Sequence, residues 1–213
     1  MSTPGSSRWP AASLLVAALA MSGCASMNRS ECAAVDWQTI GYEDGAAGRA
    51  GERMAEHRKA CAKYGVTPDL GLYQAGRRQG LREYCRPQNG YSVGADGGRY
   101  NGICPVEMEA AFVDAFESGR QLFTLRSRVW TTASHLDSAH QELDHVEHEI
   151  VEKSVVVVSS TASTEDRTQS LLSTQQLAEK AGRLKAEIAQ LERDRARYQR
   201  DLEDYLASNP RTS

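Results

Sequence analysis

Cys24 is the residue of this sequence to which a chemistry can be assigned most directly. It follows residues 21–23, Met-Ser-Gly, at the end of a short apolar run, which is the arrangement of a bacterial lipobox. Arg8 provides a basic start and residues 11–20 the apolar stretch, as in a secretory signal peptide. We therefore expect cleavage after residue 23 and a palmitate-bearing lipid on the thiol of Cys24.

The alternative to this lipoprotein hypothesis is an uncleaved transmembrane helix. The apolar run is about half of the roughly 20 residues that a helix needs to span a bilayer. Ala25 and Ser26 follow the cysteine, and no Asp stands there, which is typical of lipoproteins sent to the outer membrane. We expect the periplasmic side of the outer membrane as the location and the lipid bilayer as a partner.

Four further cysteines lie in the first half of the mature chain, at Cys32, Cys61, Cys85 and Cys104. An even number of cysteines in an exported chain predicts disulfides. Three pairings are possible, and we favour Cys32–Cys61 with Cys85–Cys104 because each closes a short loop. The paired C-x-x-C spacing of zinc sites is absent, so we expect no metal.

Tyrosine, arginine and histidine side chains of the first half could receive a ligand. An aromatic residue precedes a glycine by three positions at Tyr42–Gly45, Tyr73–Gly76 and Phe116–Gly119, a loose internal repeat. Glycines spaced by three or four share one helix face. Two interpretations stay open: close approach between small helices, or a glycine-lined ligand surface. For the second, the candidate ligand-binding residues are Tyr42, Asp44, His57, Tyr73, Arg77, Tyr91 and Arg120.

No catalytic motif accompanies these residues. The chain contains neither G-x-S-x-G nor H-E-x-x-H, and its glycines do not form a phosphate-binding loop. If both disulfides form, no free cysteine is left as a nucleophile. The sequence therefore favours a protein that is not an enzyme, with no catalytic residues and no cofactor.

Histidines also cluster later in the chain, at His135, His140, His145 and His148. Their i,i+4 spacing to acidic residues could bind a metal. However, His145 and His148 lie off the apolar seam of their helix, so we interpret them as part of a solvated face. The net charge is −3, and −4 without Arg8, the one charged residue of the signal peptide. That balance argues against a nucleic-acid partner.

Helix caps and turn signals locate the elements of the first half. Asp36 is expected to cap one helix, Thr67 a second with Pro68 at its first position, and Pro105 to start a third. The Asn-Gly and Asp-Gly dipeptides between Cys85 and Cys104 predict a loop, with a short hairpin over residues 91–100.

The second half shows an apolar seam that alternates by three and four residues, which is typical of a coiled coil. It comprises Leu122, Leu125, Val129, Thr132, Leu136, Ala139, Leu143, Val146 and Ile150, then Leu177, Ala181, Leu184, Ile188, Leu191, Arg195, Tyr198, Leu202 and Tyr205. Hydroxyl and β-branched residues interrupt it, and Ser163 with Asp166 can cap the restart. If the two helices fold back into a hairpin, like charges meet at its base. This charge mismatch keeps open a second chain or another protein as the partner of the helices.

Together these features predict a mostly α-helical protein: a small disulfide-stapled helical head followed by a long two-helix antiparallel coiled-coil hairpin. The expected divisions are signal peptide 1–23, lipidated linker 24–31, Cys/Gly/Tyr-rich head 32–121, first coiled-coil helix 122–152, connecting loop 153–164, second coiled-coil helix 165–207 and tail 208–213.

Several segments together resemble an uncharacterised family of Gram-negative lipoproteins. They are Asp36-Trp37, residues 41–45 (GYEDG), His57, Cys61, Pro68-Asp69, residues 73–77 (YQAGR), Gly80-Leu81, Tyr84-Cys85, residues 89–91 (NGY), residues 100–105 (YNGICP) and Gly119-Arg120. The resemblance covers residues 32–125 and implies a secreted helical lipoprotein, but no activity.

From these observations we expect an envelope lipoprotein with a structural or protein-interaction role at the outer membrane. Its coiled coil would contact a protein partner or a second copy. The alternative is a ligand-binding or hydrolytic head that acts on cell-wall material.

Overall fold

A computed structural model describes residues 27–209 of the chain. These residues form helices and no strands: α1 (Arg29–Ala34), α2 (Trp37–Ala46), α3 (Arg53–Ala62), α4 (Leu70–Tyr84), α5 (Pro87–Ala95), α6 (Val106–Val158) and α7 (Thr164–Ser208). The first five helices and the start of α6 form a head, and the rest of α6 packs along α7 as an arm. The fold class predicted from the sequence is confirmed. In the described part of the chain, no helix is both long enough and apolar enough to span a bilayer.

Side-chain caps determine where several head helices begin. The Asp36 carboxylate accepts a hydrogen bond from the Gln38 backbone N–H at the start of α2, as expected. The predicted cap at Thr67 is wrong, because α4 begins at Leu70 and the Asp69 carboxylate accepts from the Leu72 N–H. An aspartate oxygen reaches the orphan N–H groups of the first turn, so the helix starts two residues later than the Thr-Pro signal suggested.

Two disulfides staple the head. Cys32 in α1 is bonded to Cys61 in α3, and Cys85 after α4 is bonded to Cys104 before α6. This is the pairing that the short loops favoured. All four sulfurs lie in two small buried clusters, one around Trp37 and Tyr73 and one around Phe112.

Close helix crossings dominate the head. In one pair α2 crosses α4, and in the other α5 crosses the start of α6. A Cβ placed on Gly80 would lie 2.1 Å from the carbonyl oxygen of Tyr42, and a Cβ on Gly119 would lie 2.1 Å from that of Tyr91. Such distances leave no room for a side chain, so the two helix backbones touch directly. Of the two interpretations of the glycines, the structure therefore supports close backbone approach.

The two helix pairs are copies of one arrangement. Both α2 and α5 end in a Schellman turn whose C′ glycine is left-handed, with φ of 65° at Gly48 and 74° at Gly97. The ring of Tyr84 lies against Gly48, and that of Phe123 lies against Gly97. Adding 49 to a residue number in the first pair's α2 segment therefore gives its counterpart in the α5 segment, as for Gly48 and Gly97. Adding 39 to a residue number in α4 gives its counterpart in α6, as for Tyr84 and Phe123.

This repeat differs in register from the one that the sequence suggested. A Cβ on Gly41 would meet the carbonyl of Tyr73, and a Cβ on Gly90 would meet that of Phe112. Tyr73 therefore corresponds to Phe112, not to Phe116, because the helix crossing, and not the aromatic spacing, sets the register.

The segment between Cys85 and Cys104 is not the predicted loop with a hairpin, since its first half is α5. Pro87 occupies the first turn, where a missing N–H costs nothing. Gly90 and Gly94 face backbone oxygens of α6, so contact with α6 outweighs the turn tendency of the Asn-Gly dipeptide.

The arm is longer than the sequence suggested. Helix α6 has 53 residues and, at 1.5 Å per residue, spans about 80 Å. It continues from the head without a break to Val158, so the connection is only residues 159–163. Ser163 caps α7 by accepting from the Asp166 N–H, as expected.

Apolar seam residues hold the arm together. Leu136, Ala139 and Ile188 form a buried cluster with Leu143 and Leu191 packed against it. Two ion pairs cross between the helices, Lys180 with Glu142 and Lys185 with Glu147, the latter at 2.8 Å. These lysines were not recognised in the sequence as partners of the acidic stretch of α6.

Like charges do meet at the base of the arm, and an aromatic ring lies beside them. The guanidinium carbons of Arg128 and Arg197 lie 5.8 and 5.0 Å from the centre of the Tyr198 ring. Below this point the Tyr205 hydroxyl donates to the Ser118 carbonyl at 2.7 Å, which fixes the end of α7 on the head.

Candidate functional site

Three of the predicted ligand-binding residues meet in the first helix pair. One carboxylate oxygen of Asp44 lies 2.8 Å from Nε2 of His57 and 2.9 Å from the Tyr73 hydroxyl. The Nε of Arg53 lies 3.7 Å from the other carboxylate oxygen. All three predicted residues are buried. We call Asp44, Arg53, His57 and Tyr73 the polar cluster.

Three different helices bring the polar cluster together. Asp44 lies on α2 between Gly41 and Gly45, whose lack of side chains lets α4 carry Tyr73 within reach. His57 lies on α3, one turn before Cys61, so the Cys32–Cys61 disulfide holds it in place. The rings of Trp37 and Tyr73 both meet the imidazole edge-on, with centroids 6.1 Å apart.

The chemistry of the cluster centres on the Asp44 carboxylate. A neutral His57 with its proton on Nε2 can donate to Asp44, as Tyr73 does, while Nδ1 is buried and has no partner among the described residues. Burial raises the pKa of Tyr73 above the ordinary range, and the hydrogen bond to the Asp44 carboxylate raises it further. Tyr73 is therefore a fixed donor, not a base.

This geometry fastens helices of the head together. The hydrogen-bonding atoms lie in the interior, and no serine or cysteine nucleophile is seen next to His57 in the described residues, whose four cysteines are all in disulfides. Helix α3 makes few other helix contacts. The polar cluster, the Cys32–Cys61 disulfide and the packing of Met54 hold α3 on the head.

The other predicted ligand-binding residues lie apart from the cluster. Arg77 reaches across to donate to the carbonyl of Arg49 at 2.8 Å. Tyr42 is exposed on α2. Tyr91 packs with Leu122 in the cluster at the arm base. Arg120 is exposed on α6, so the structure divides the predicted set into separate places instead of one site.

The internal repeat shows that the fold does not require the polar cluster. At the positions that correspond to Asp44, Tyr73 and Arg77, the second helix pair has Val93, Phe112 and Phe116. The second pair builds the same crossing with apolar side chains around Phe112, which is completely buried. The polar groups are thus a feature of the first pair and not of the architecture.

An open groove lies beside Arg120 on the second pair. It has a volume of about 620 Å³ and runs between the loop after α5 and the outer face of α6. Its lining includes Arg99, Asn101, Phe116, Glu117, Arg120 and Phe123. Of this set, only Arg120 is among the ligand-binding residues predicted from the sequence, since the groove depends on how the loop lies over α6.

The arm histidines are exposed, as the solvated-face interpretation expects. His148 lies 3.4 Å from Glu152, the neighbour one turn away. Among residues 27–209 no group of three or more His, Cys, Asp and Glu is arranged to hold a metal.

An apolar patch at the tip of the arm was missed in the sequence. Five large side chains there are between 52% and 81% exposed, namely Val151, Val155, Val158, Leu171 and Leu172. The valines were interpreted only as a break in the helix. Cys24 and the signal peptide, in contrast, lie outside the described residues.

Comparison with known proteins finds a match for the head only. Residues 36–121 match a family model described as "Protein of unknown function (DUF2799)". No curated protein matches the chain, and no solved structure does. The match ends where the arm begins. Residues 36–121 are therefore similar to a domain of an uncharacterised family.

Proposed function

We propose that this protein is an envelope lipoprotein, tethered through Cys24 to the periplasmic side of the outer membrane, whose arm docks a protein partner. The lipobox sequence supports the tether. The two disulfides support export, because disulfides form and persist in oxidising compartments. The role is structural or one of protein interaction.

The arm gives this protein a long reach from its anchor. The part of α6 beyond the head, residues 122–158, corresponds to about 55 Å of helix. The last residues of α7 return to the head, where Tyr205 bonds Ser118. The tip of the arm therefore projects away from the head by about 55 Å of helix.

The apolar tip patch is the observation that carries the proposed role. Exposed apolar surface that is contiguous usually marks a site of interaction. Here Val151, Val155 and Val158 near the end of α6 and Leu171 and Leu172 near the start of α7 are all exposed, and one five-residue connection joins these two helix ends. A helical spacer alone would need no such residues at its tip.

Photocrosslinking in intact cells tests this role. A benzophenone amino acid at Val155 should give one crosslinked product of defined mass, either a second copy or another envelope protein. The same group at Gln141, which is exposed in the middle of α6, is the matched control and should give none. Adding Leu171→Asp to the Val155 probe should abolish the product. Equal products from both positions, or a product that survives Leu171→Asp, would contradict the proposal.

The alternative of a hydrolytic head is not favoured by the geometry, since the polar cluster is buried and fastens helices. Ligand binding by the head is a separate matter, because the groove beside Arg120 is open to solvent.

A further inference from the structure

The two helix pairs differ where the second helix of the pair meets the loop after the first helix, and the second pair has open space there. In the first pair Arg77 donates to the carbonyl of Arg49, the residue after the left-handed Gly48. The corresponding residues of the second pair are Phe116 and Gly98. A phenyl ring has no hydrogen-bond donor, so Phe116 cannot make the link to Gly98 that Arg77 makes to Arg49 in the first pair.

The groove lies at this place. Phe116 lines the groove but is only 6% exposed, whereas Phe123 beside it is 42% exposed and offers an apolar surface. Arg120, which corresponds to the buried Leu81 of the first pair, projects an exposed guanidinium 5.9 Å from the centre of the Phe116 ring. The second pair thus has Phe116 where the first has the hydrogen-bonding Arg77. It has the exposed Arg120 where the first has the buried Leu81.

The charges of the groove are uneven. Arg120 lies 3.7 Å from Glu117, an exposed pair with little mutual stabilisation. Arg99 and Asn101 lie on the opposite wall, and neither makes a hydrogen bond or ion pair with another described side chain. Two guanidiniums against one carboxylate leave the groove with a net positive charge next to an apolar wall.

We propose that this groove binds the C-terminal carboxylate of a short peptide whose last side chain is apolar. A guanidinium recognises a carboxylate through two parallel hydrogen bonds, a role that Arg120 or Arg99 can fill. The terminal side chain packs on the exposed Phe123, and the amide of Asn101 suits the peptide backbone. This inference concerns the head alone and does not depend on the lipid tether or on the arm.

Calorimetric titration of the full-length protein in detergent tests the proposal. The probes are N-acetyl-Ala-Leu with a free carboxylate, the same peptide as a C-terminal amide, and N-acetyl-D-Ala-D-Ala. The free acid should bind saturably, and the amide should bind at least tenfold more weakly. A preference for the D-Ala probe would point to cell-wall peptides as the source, and a preference for the L-peptide to protein C-termini.

Two variants make the test specific to the groove. Arg120→Leu places there the residue that the first pair has at Leu81, and it should weaken binding of the free acid at least tenfold without lowering the melting temperature. Arg82→Leu removes another exposed arginine elsewhere on the head and should leave binding unchanged. Absence of saturable binding by every probe, equal binding of acid and amide, or equal effects of the two variants would each overturn the proposal.

Discussion

Gly76→Ala is the substitution that tests the glycine crossing most severely. A Cβ at this position would lie 1.8 Å from the carbonyl oxygen of Gln38 and 2.9 Å from the backbone nitrogen of Tyr42. Both are main-chain atoms of α2, so no side-chain rotation can relieve the clash. The helices must move apart, and that movement would also separate the Asp44 carboxylate from the Tyr73 hydroxyl.

The expected size of the effect follows from two opposed terms. Alanine is favoured over glycine inside a helix by up to about 1 kcal/mol. Overpacking a well-packed site costs about 1–3 kcal/mol, and occasionally more. Since the clash is with backbone, we expect a cost of at least 3 kcal/mol before the helix gain. The free energy of unfolding should therefore fall by about 2 kcal/mol or more.

Denaturant unfolding followed by circular dichroism measures this change, and a second glycine provides the control. Gly182 lies on α7, and a Cβ there would meet nothing within 4 Å. Gly182→Ala should therefore raise stability by up to about 1 kcal/mol through helix propensity alone. If both variants were stabilised alike, the close crossing of α2 and α4 would be refuted.

Three further predictions concern the seam, the polar cluster and the staples. Val146→Asp buries a charge in the arm seam and should cost several kcal/mol, whereas His148→Ala on the exposed face should change the melting temperature little; equal losses would contradict the packing. Tyr73→Phe removes a hydrogen bond to a carboxylate and should cost about 2 kcal/mol at pH 8. The pKa of Tyr73 is raised on folding, so its contribution to the free energy of unfolding is present below about pH 10 and is lost as the pH rises further. The difference in the free energy of unfolding between wild type and Tyr73→Phe should therefore shrink by about pH 11. A difference that stays constant would contradict this assignment. Under oxidising conditions, alkylation should modify none of the four head cysteines, and reduction of each disulfide should cost about 3 kcal/mol; free thiols in oxidised protein would contradict the pairing.

The overall architecture could be predicted because it rests on local patterns. The three-and-four spacing around Leu136 and Ile188 predicted the seam, and short loops favoured the pairing of Cys32 with Cys61. Hydrophobic periodicity and loop closure are properties of the chain itself, so they can be identified without a structure.

The head could be predicted only in part, because its register is set between helices distant in sequence. The local sequence predicted a turn at Gly90, but this residue belongs to α5 because α6 packs against it. The repeat was likewise placed at Phe116 instead of Phe112. The sequence around a glycine does not indicate which backbone the glycine will contact. The register of the helices is therefore set by tertiary contacts.

The candidate site residues could likewise be predicted from the sequence only in part. Asp44, His57 and Tyr73 were singled out by residue type, and the structure brings them together in the interior, where they bond one another. The groove beside Arg120 depends on the difference between the two helix pairs, which becomes visible only when they are compared in space.

The tether is the central claim, and incorporation of a fatty-acid probe into the wild type and Cys24→Ser tests it most directly. Cells given an alkyne-bearing palmitate should label the wild-type protein and leave Cys24→Ser unlabelled, since that thiol alone is expected to carry the lipid. Expression of both proteins is checked by immunoblot. Equal labelling of the two, or none in either, would contradict the lipoprotein account.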